Sequence, residues 1–585
     1  MSRLDMKDII FGRVLRDPLY RVDFAVGTTY SLDLDTFISL PFSLGFLEEP
    51  DEVMRKSVAY IFSALRICSD NLAVFCNYSD IKVPPECRRL YYALMEGSVF
   101  PINVGKKNKI VNFHPKVWVI EQTGPHEEDT IIRVIIMSRN LTKDGSLDCA
   151  CVLTGKVKNR EASARARKKH QPLCDFLLYL SKKASSKKRR RIENLVQDIY
   201  CIESFDIEGS QFDDYDFFPM GIPNYSGRPV LDEIGSAPSV GVVSPFIDDT
   251  VMERFDNTRE KILVTRDLSI TDAAVSAFGK ENIYTMNPQM VDNDLEECVD
   301  LHAKMYFTTS YRRDEEHWRN HLYMGSTNAT MGGFDRNIEF LVRFRFLRSR
   351  FSWREFSSYF KEDSENRFVN MIRVSPVPDE RRSEYERSLA LRKAATAVGT
   401  ADAIPDGEKT WKVSMQVSGF GGEAKIRPLM RPDLVQPLIP GVTFPGMALI
   451  ELSEFYVIEA DGLSRVIKVQ TTGIPDDRDA EICRRVIPTK AEFMDCISFL
   501  LSESKTTYVL EHQMLEKAIS GKNDASRDGT EYAAIYENLL RQVYESPASF
   551  KDIQTFVSSL PQDRVPEEFQ SLYEKISKAI KSFKR

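Results

Sequence analysis

Apolar positions along this 585-residue chain recur with two periods, and the period switches from one segment to the next. Across 51–66, Val53, Val58, Ile61 and Leu65 fall near helical spacing, which predicts an amphipathic helix. The run at 71–77 (NLAVFCN) has instead the β-branched and aromatic content of a buried strand. A helix over 86–95, a strand over 99–104 and a helix over 172–184 follow. The cycle then restarts with a strand over 239–247 (SVGVVSPFI). Next comes a helix opening at Asp248 or Asp249, whose carboxylates suit a helix N-terminus. Strands at 261–265 and 282–286 flank a helix over 269–278 that Gly279 closes. This alternation predicts an α/β fold of two similar lobes with mixed, largely parallel sheets.

Past 346 the pattern changes. Residues 348–392 are charged and partly helical by period, and 393–410 (with AATAVGTADAIPDGEKT) read as a linker. Short strand-like runs between prolines and glycines predict a β-rich module over 411–487, and 488–585 shows four helix-period segments. The division this suggests is a first lobe at 1–154, a basic connection at 155–200 and a second lobe at 201–346. A charged helical segment with linker at 347–410, the β-rich module and the helical C-terminal region complete it.

One short pattern occurs twice. His114 and Lys116 open a strand (HPKVWVI), and Ser138 and Asn140 end the next one (IIMSRNLT); His302 and Lys304 precede Met305, and Ser326 and Asn328 follow. In both copies the asparagine lies 26 residues after the histidine, with a threonine two later (Thr142, Thr330) and a glycine five later (Gly145, Gly333). A lone H-x-K is a weak signal, and most such histidines are satisfied surface groups. Only seven histidines occur in the chain, however, and two occupy these matched places.

The residue types suit phosphoryl transfer. A neutral imidazole can attack phosphorus and split one hard displacement into two easier ones. A second, protonated imidazole can give its proton to the leaving oxygen and then activate water. Lysine ammonium and asparagine amide groups are donors for the non-bridging oxygens whose charge must be stabilised in the transition state.

At these residues the sequence resembles the phospholipase D superfamily, whose two H-x-K…N half-sites meet between two similar lobes. The resemblance covers roughly residues 20 to 345. It implies a catalytic set of His114, Lys116, Asn140, His302, Lys304 and Asn328, with His114 as nucleophile and His302 as general acid and then base. Glu339, eleven residues after Asn328, matches a family carboxylate that orients a histidine, and Ser138 and Ser326 would assist at the phosphate. The pattern departs from the lipid-cleaving members, which carry an aspartate five after each lysine where this chain has Glu121 and Thr309. The first copy also shows no carboxylate answering Glu339, since Cys149-Ala-Cys151 fills that strand. The reduced pattern is closer to the nuclease and tyrosyl-DNA phosphodiesterase branches. The implied activity is a metal-independent phosphodiesterase working through a phosphohistidine, with nucleic acid as partner, DNA ahead of RNA, and no cofactor; a role in prokaryotic defence or restriction would fit. The rivals are a phospholipase D-type lipid hydrolase and a nucleic-acid-binding scaffold with little turnover.

Composition adds little to the bulk picture and more to the detail. With 42% hydrophobic and 10% aromatic residues the chain is globular in type. Its net charge of −7 does not advertise a polyanion partner. Between Lys156 and Arg191, though, 14 basic residues face only Glu161 and Asp175, a run that reads as a solvated connection or, as a second possibility, a phosphate-backbone contact. Lys106 and Lys107, just before His114, are candidates for guiding a polyanion. Ten scattered cysteines without C-x-x-C pairs suit reduced thiols in a cytoplasm. No apolar run is long enough for membrane insertion, and the leucine and aromatic stripes of the C-terminal region read first as a private core and second as a surface for protein partners.

Overall fold

The computed structural model describes residues 14–45, 58–83, 91–105, 111–124, 129–142, 146–207, 212–287, 300–312, 317–361, 367–370 and 379–486, with short pieces at 291–292, 297–298, 569–571 and 573–575. The fold is mixed α/β. Among the described residues a seven-stranded and an eight-stranded sheet dominate, and six strands of each follow the same path.

In the first sheet the order runs Val99–Ile102, Leu72–Asn77, Arg21–Thr29, Val117–Thr123, Thr130–Met137 and Ala150–Lys156. The first three are parallel and the rest antiparallel. In the second the order is Ile283–Met286, Glu260–Val264, Ser239–Val243, Met305–Arg312, His317–Gly325 and Glu339–Leu347, again a parallel trio followed by an antiparallel meander. Strands buried on both faces carry apolar residues continuously, and Leu72–Asn77 and Ser239–Val243 are buried at every position. The caps anticipated at Asp248 and Gly279 are present: the Asp248 carboxylate accepts from Val251 N–H at 3.0 Å, and Gly279 closes its helix at φ 77°.

The basic stretch is a helical hairpin and not a solvated connection. Helices Ala164–Ser181 and Ser186–Ile199 bury Leu173, Phe176, Leu177, Leu180, Ile192, Leu195, Val196 and Ile199 in a core that also takes Phe24, Phe217 and Phe340 from the two sheets. Its cations are partly committed inward. Lys188 is buried and donates to Ser69 O, Arg191 donates to Asn71 and to Asp23 O, and Lys187 pairs with Asp70.

The linker expected at 393–410 is also ordered structure. Helix Asp379–Ala397 passes directly into strand Val398–Pro405, because Ala394, Ala395, Ala401 and Ala403 are small enough to pack flat in the core of the β-rich part. That part contains a four-stranded sheet and a six-stranded one. In the six-stranded sheet Leu463–Lys468, Phe455–Ala460 and Ala424–Pro428 continue onto Leu32–Asp33 and Ile81–Lys82 of the N-terminal sequence. The contact is sealed by Glu96, whose buried carboxylate takes Arg478, the Ser453 hydroxyl at 2.8 Å and Glu454 N–H at 3.0 Å. Among the described residues no helix is long and apolar enough to cross a membrane. Three of the four C-terminal helix candidates lie outside the described residues. In the fourth, Phe569 is fully buried against the first lobe.

Candidate active site

Each half-site sits where two neighbouring strands of one sheet begin and end. Lys116 immediately precedes Val117–Thr123, and Ser138 immediately follows Thr130–Met137. Lys304 precedes Met305–Arg312, and Ser326 follows His317–Gly325. Both lysines are buried and each donates to the carbonyl of its own histidine, Lys116 to His114 O at 2.9 Å and Lys304 to His302 O at 2.5 Å. That local contact holds the H-x-K segment in a tight curl.

The two copies then exchange carboxylates. His114 Nδ1 lies 2.8 Å from Glu339 Oε2, and His302 Nδ1 lies 2.8 Å from Asp148 Oδ1. The segments carrying them run side by side across the lobes. Phe113 bridges Ile338 and Leu147 bridges Leu301, with His114 N–H donating to Ile338 O and His302 N–H to Leu147 O, both at 2.9 Å. The first half therefore has its carboxylate after all. Asp148 stands eight residues past Asn140 where Glu339 stands eleven past Asn328, so counting from the asparagine passes over it. The strand starts give it away, because Asp148-Cys149 and Glu339-Phe340 play the same part. Ser138 hydroxyl donates to Asp148 and accepts from Cys149 N–H, while Ser326 hydroxyl donates to Glu339 and accepts from Phe340 N–H. The two serines are thus buried positioning groups, not the phosphate ligands anticipated from the sequence.

A second matched pair escaped sequence reading. Thr29 hydroxyl donates to Ser31 O at 2.7 Å and accepts from Leu141 N–H at 3.0 Å. Ser244 hydroxyl donates to Phe246 O at 2.7 Å and accepts from Ala329 N–H at 2.9 Å. Leu141 and Ala329 each follow the half-site asparagine, so these hydroxyls fix the loops that present Asn140 and Asn328. Asn140 spends its side-chain carbonyl on Ser31 N–H at 3.5 Å, which leaves its amide N–H groups for a ligand. Lys106, Lys107 and Gly145 lie outside the described residues.

Charge at the site is finely balanced. Burial outweighs the attached carboxylates and brings both His114 and His302 down to about 4, with the lysine ammoniums pushing the same way. Burial and then the neighbouring Lys304 hold Lys116 well below the ordinary lysine range, and burial brings Lys304 down to about 8 against the pull of Asp148. Desolvation opposes ionisation of Asp148, yet the His302 and Ser138 hydrogen bonds and the Lys304 charge together hold its carboxyl below the usual range. The crossed pairs His114–Glu339 and His302–Asp148, with the Phe113–Ile338 and Leu147–Leu301 bridges beside them, bring the two half-sites together. An anion entering between them favours the charged form of all four bases.

The surroundings of the two halves differ. Tyr30 lies beside the His114 ring at 5.1 Å between centroids and under the Lys116 ammonium at 5.7 Å. Helix Asp379–Ala397 sends Arg392 onto it, donating to Tyr30 hydroxyl and to Asn112 Oδ1, both at 2.6 Å. Asn112 N–H in turn donates to Asn337 Oδ1, and Asn337 Nδ2 donates to Glu339 at 3.2 Å, so this cation reaches the His114 carboxylate through two amides.

No family model and no curated protein matches the sequence. Among solved structures, yeast tyrosyl-DNA phosphodiesterase is 10% identical with a TM-score of 0.33 over 58% of this chain and 85% of that one. Phosphatidylserine synthase from Haemophilus influenzae gives 10% and 0.33 over 66% and 91%. Polyphosphate kinase from Porphyromonas gingivalis gives 11% and 0.30 over 70% and 46%. At such scores it is the paired geometry of His114 with Glu339 and His302 with Asp148, and not any of these likenesses, that speaks to the chemistry.

Proposed function

We propose that this chain is a phosphodiesterase of the phospholipase D type that acts on nucleic acid through a phosphohistidine. The observation that carries the reading is the exchange of carboxylates: each imidazole sets Nδ1–H against Glu339 or Asp148 of the other lobe, which leaves the lone pair to Nε2.

In the first step His114 Nε2 forms a bond to phosphorus while the bond to the leaving oxygen breaks, and that oxygen takes the Nε2 proton of protonated His302. Lys116, Lys304, Asn140 and Asn328 stabilise the charge on the non-bridging oxygens. In the second step His302, now neutral, takes a proton from water as the water oxygen bonds to phosphorus and the P–N bond breaks. His302 needs its proton on arrival of substrate although it is neutral in the empty site at pH 7. The negative diester supplies the reason, by raising the proton affinity of a buried base beside it.

The test is incubation of wild type, H114A and H302A with labelled single- and double-stranded DNA and RNA in excess EDTA. Wild type is expected to cleave at least one polymer and, when denatured in base during turnover, to carry an acid-labile adduct with a mass shift on His114; both variants are expected to lose cleavage. Loss of wild-type activity in EDTA with recovery in magnesium would overturn the mechanism. Retention of cleavage by either variant would overturn the assignment of the site.

A further inference from the structure

The matched scaffolding of the two half-sites makes their differences informative. Thr29 and Ser244 hold the same place, so Ser31 in the first lobe corresponds to Phe246 in the second, as do Leu32 and Ile247, which bridge Leu141 and Ala329. One strand over, Asn77 corresponds to Arg266. Asn77 accepts from the N–H of Phe113, the residue before His114, at 3.0 Å, and Arg266 donates to the carbonyl of Leu301, the residue before His302, at 3.0 Å.

These corresponding positions have opposite character. Ser31 and Asn77 are 4% and 5% exposed, and Arg392 lies across that side, on Tyr30, Asn112 and Asp80. Phe246 is 45% exposed, the only exposed phenylalanine among the described residues. The Arg266 guanidinium lies over its ring at 4.8 Å and is itself anchored to Asp300 at 2.9 Å. Arg266 is close enough to the cradle to act on the Lys304 ammonium. An exposed ring costs solvation and gains nothing for folding, whereas a ring backed by a fixed cation offers a flat face to another π-system. Phe246 is tied to both loops of the second half-site, since its neighbour Ile247 bridges Ala329, next to Asn328, and Arg266 donates to the carbonyl of Leu301, next to His302.

We propose that Phe246, backed by Arg266, is a stacking platform for an unpaired nucleobase next to the scissile phosphate, and that the strand leaves the cradle over the second lobe because Arg392 closes the first. This rests on the phosphodiesterase reading for its substrate class and names the part of that substrate the protein holds. Stacking tolerates any base, so the platform selects unpaired strands over duplex and not one sequence over another.

The test is fluorescence anisotropy of the full chain in the H114A background, so that nothing is cleaved. The probes are a fluorescein-labelled single-stranded octanucleotide and the same backbone with abasic sugars. The base-bearing probe is expected to bind about 5- to 100-fold tighter than the abasic one, from the usual value of a stacked base. F246A is expected to abolish that preference with its melting temperature unchanged, and F246W to keep it. No preference in the parent, or a preference retained by F246A, overturns the platform. Turnover of ethyl p-nitrophenyl phosphate in EDTA by the otherwise unaltered chain tests the phosphodiesterase reading separately, since that diester carries no base. Turnover without base preference sinks the platform alone, and base preference without turnover sinks the mechanism and leaves the platform as a binding site.

Discussion

An imidazole is a nucleophile only through a ring nitrogen that keeps its lone pair, and here the choice of nitrogen is made by a residue of the opposite lobe. Asp148 and Glu339 accept from Nδ1 of His302 and His114, so replacing either acceptor with an amide permits the wrong tautomer. D148N and E339Q are each expected to lower kcat about 10²-fold or more while KM changes little. A near-normal kcat for D148N would show that the carboxylate does not orient His302. The same burial fixes a pH response. His114 and His302 sit at about 4 in the folded chain against 6.5 in the unfolded one. As pH falls from about 6.5 toward 4, the unfolded chain therefore binds protons the folded one refuses, and stability falls with pH in that window. The loss is about 1–3 kcal/mol per ring. Comparing urea midpoints at pH 7 and pH 5 is expected to show a flatter fall for the H114N/H302N double variant than for the wild type.

Elements place those residues through strand ends, and one strand end depends on a glycine. Gly325 has φ 151°, and a Cβ there would lie 2.2 Å from Phe340 O, the carbonyl that receives Ser326 N–H. G325A is expected to cost about 2 kcal/mol or more in urea denaturation and to loosen Ser326 and Glu339 with it. The first copy accommodates Met137 at the corresponding place, paired to Ala150 in regular register. At this scale the sequence was most readable in local signals: each H-x-K segment opens a strand, and the Asp248 cap and the Gly279 stop are where the residues implied. Asp148 was hidden by a loop three residues shorter than its counterpart, because a count along the chain does not register a strand start. The helix expected over 172–184 begins instead at Ala164, and its first turns and the helix at 186–199 were hidden by their charge. The strand Val398–Pro405 was hidden by alanines that have little β preference and owe their conformation to the sheet they join.

At the scale of the whole molecule the β-rich part is not an appendage. Its six-stranded sheet takes Leu32–Asp33 and Ile81–Lys82 as members, and Arg478 reaches Glu96 in a contact that is nearly closed to solvent. Removing one partner of a buried pair leaves an uncompensated charge, so R478M is expected to destabilise the protein by about 3–5 kcal/mol. A double-mutant cycle with E96Q would check that value, and additive losses would contradict a direct coupling. A chain ending after Ala397 would strand those edge segments and is expected to give no cooperative unfolding transition. No reading of local pattern could have found these links, since the paired residues lie more than 350 positions apart.

The crossing of carboxylates between lobes also bears on how a chain with the proposed activity can be made safely. His114 and the residue that directs its proton are 225 positions apart, so a growing polypeptide carries the first histidine long before it carries Glu339. Until the second sheet has been synthesised and has closed against the first, that ring is an ordinary solvated side chain with no cradle around it. Reactivity arrives only with near-completion of the fold, and a truncated or half-assembled product is born harmless.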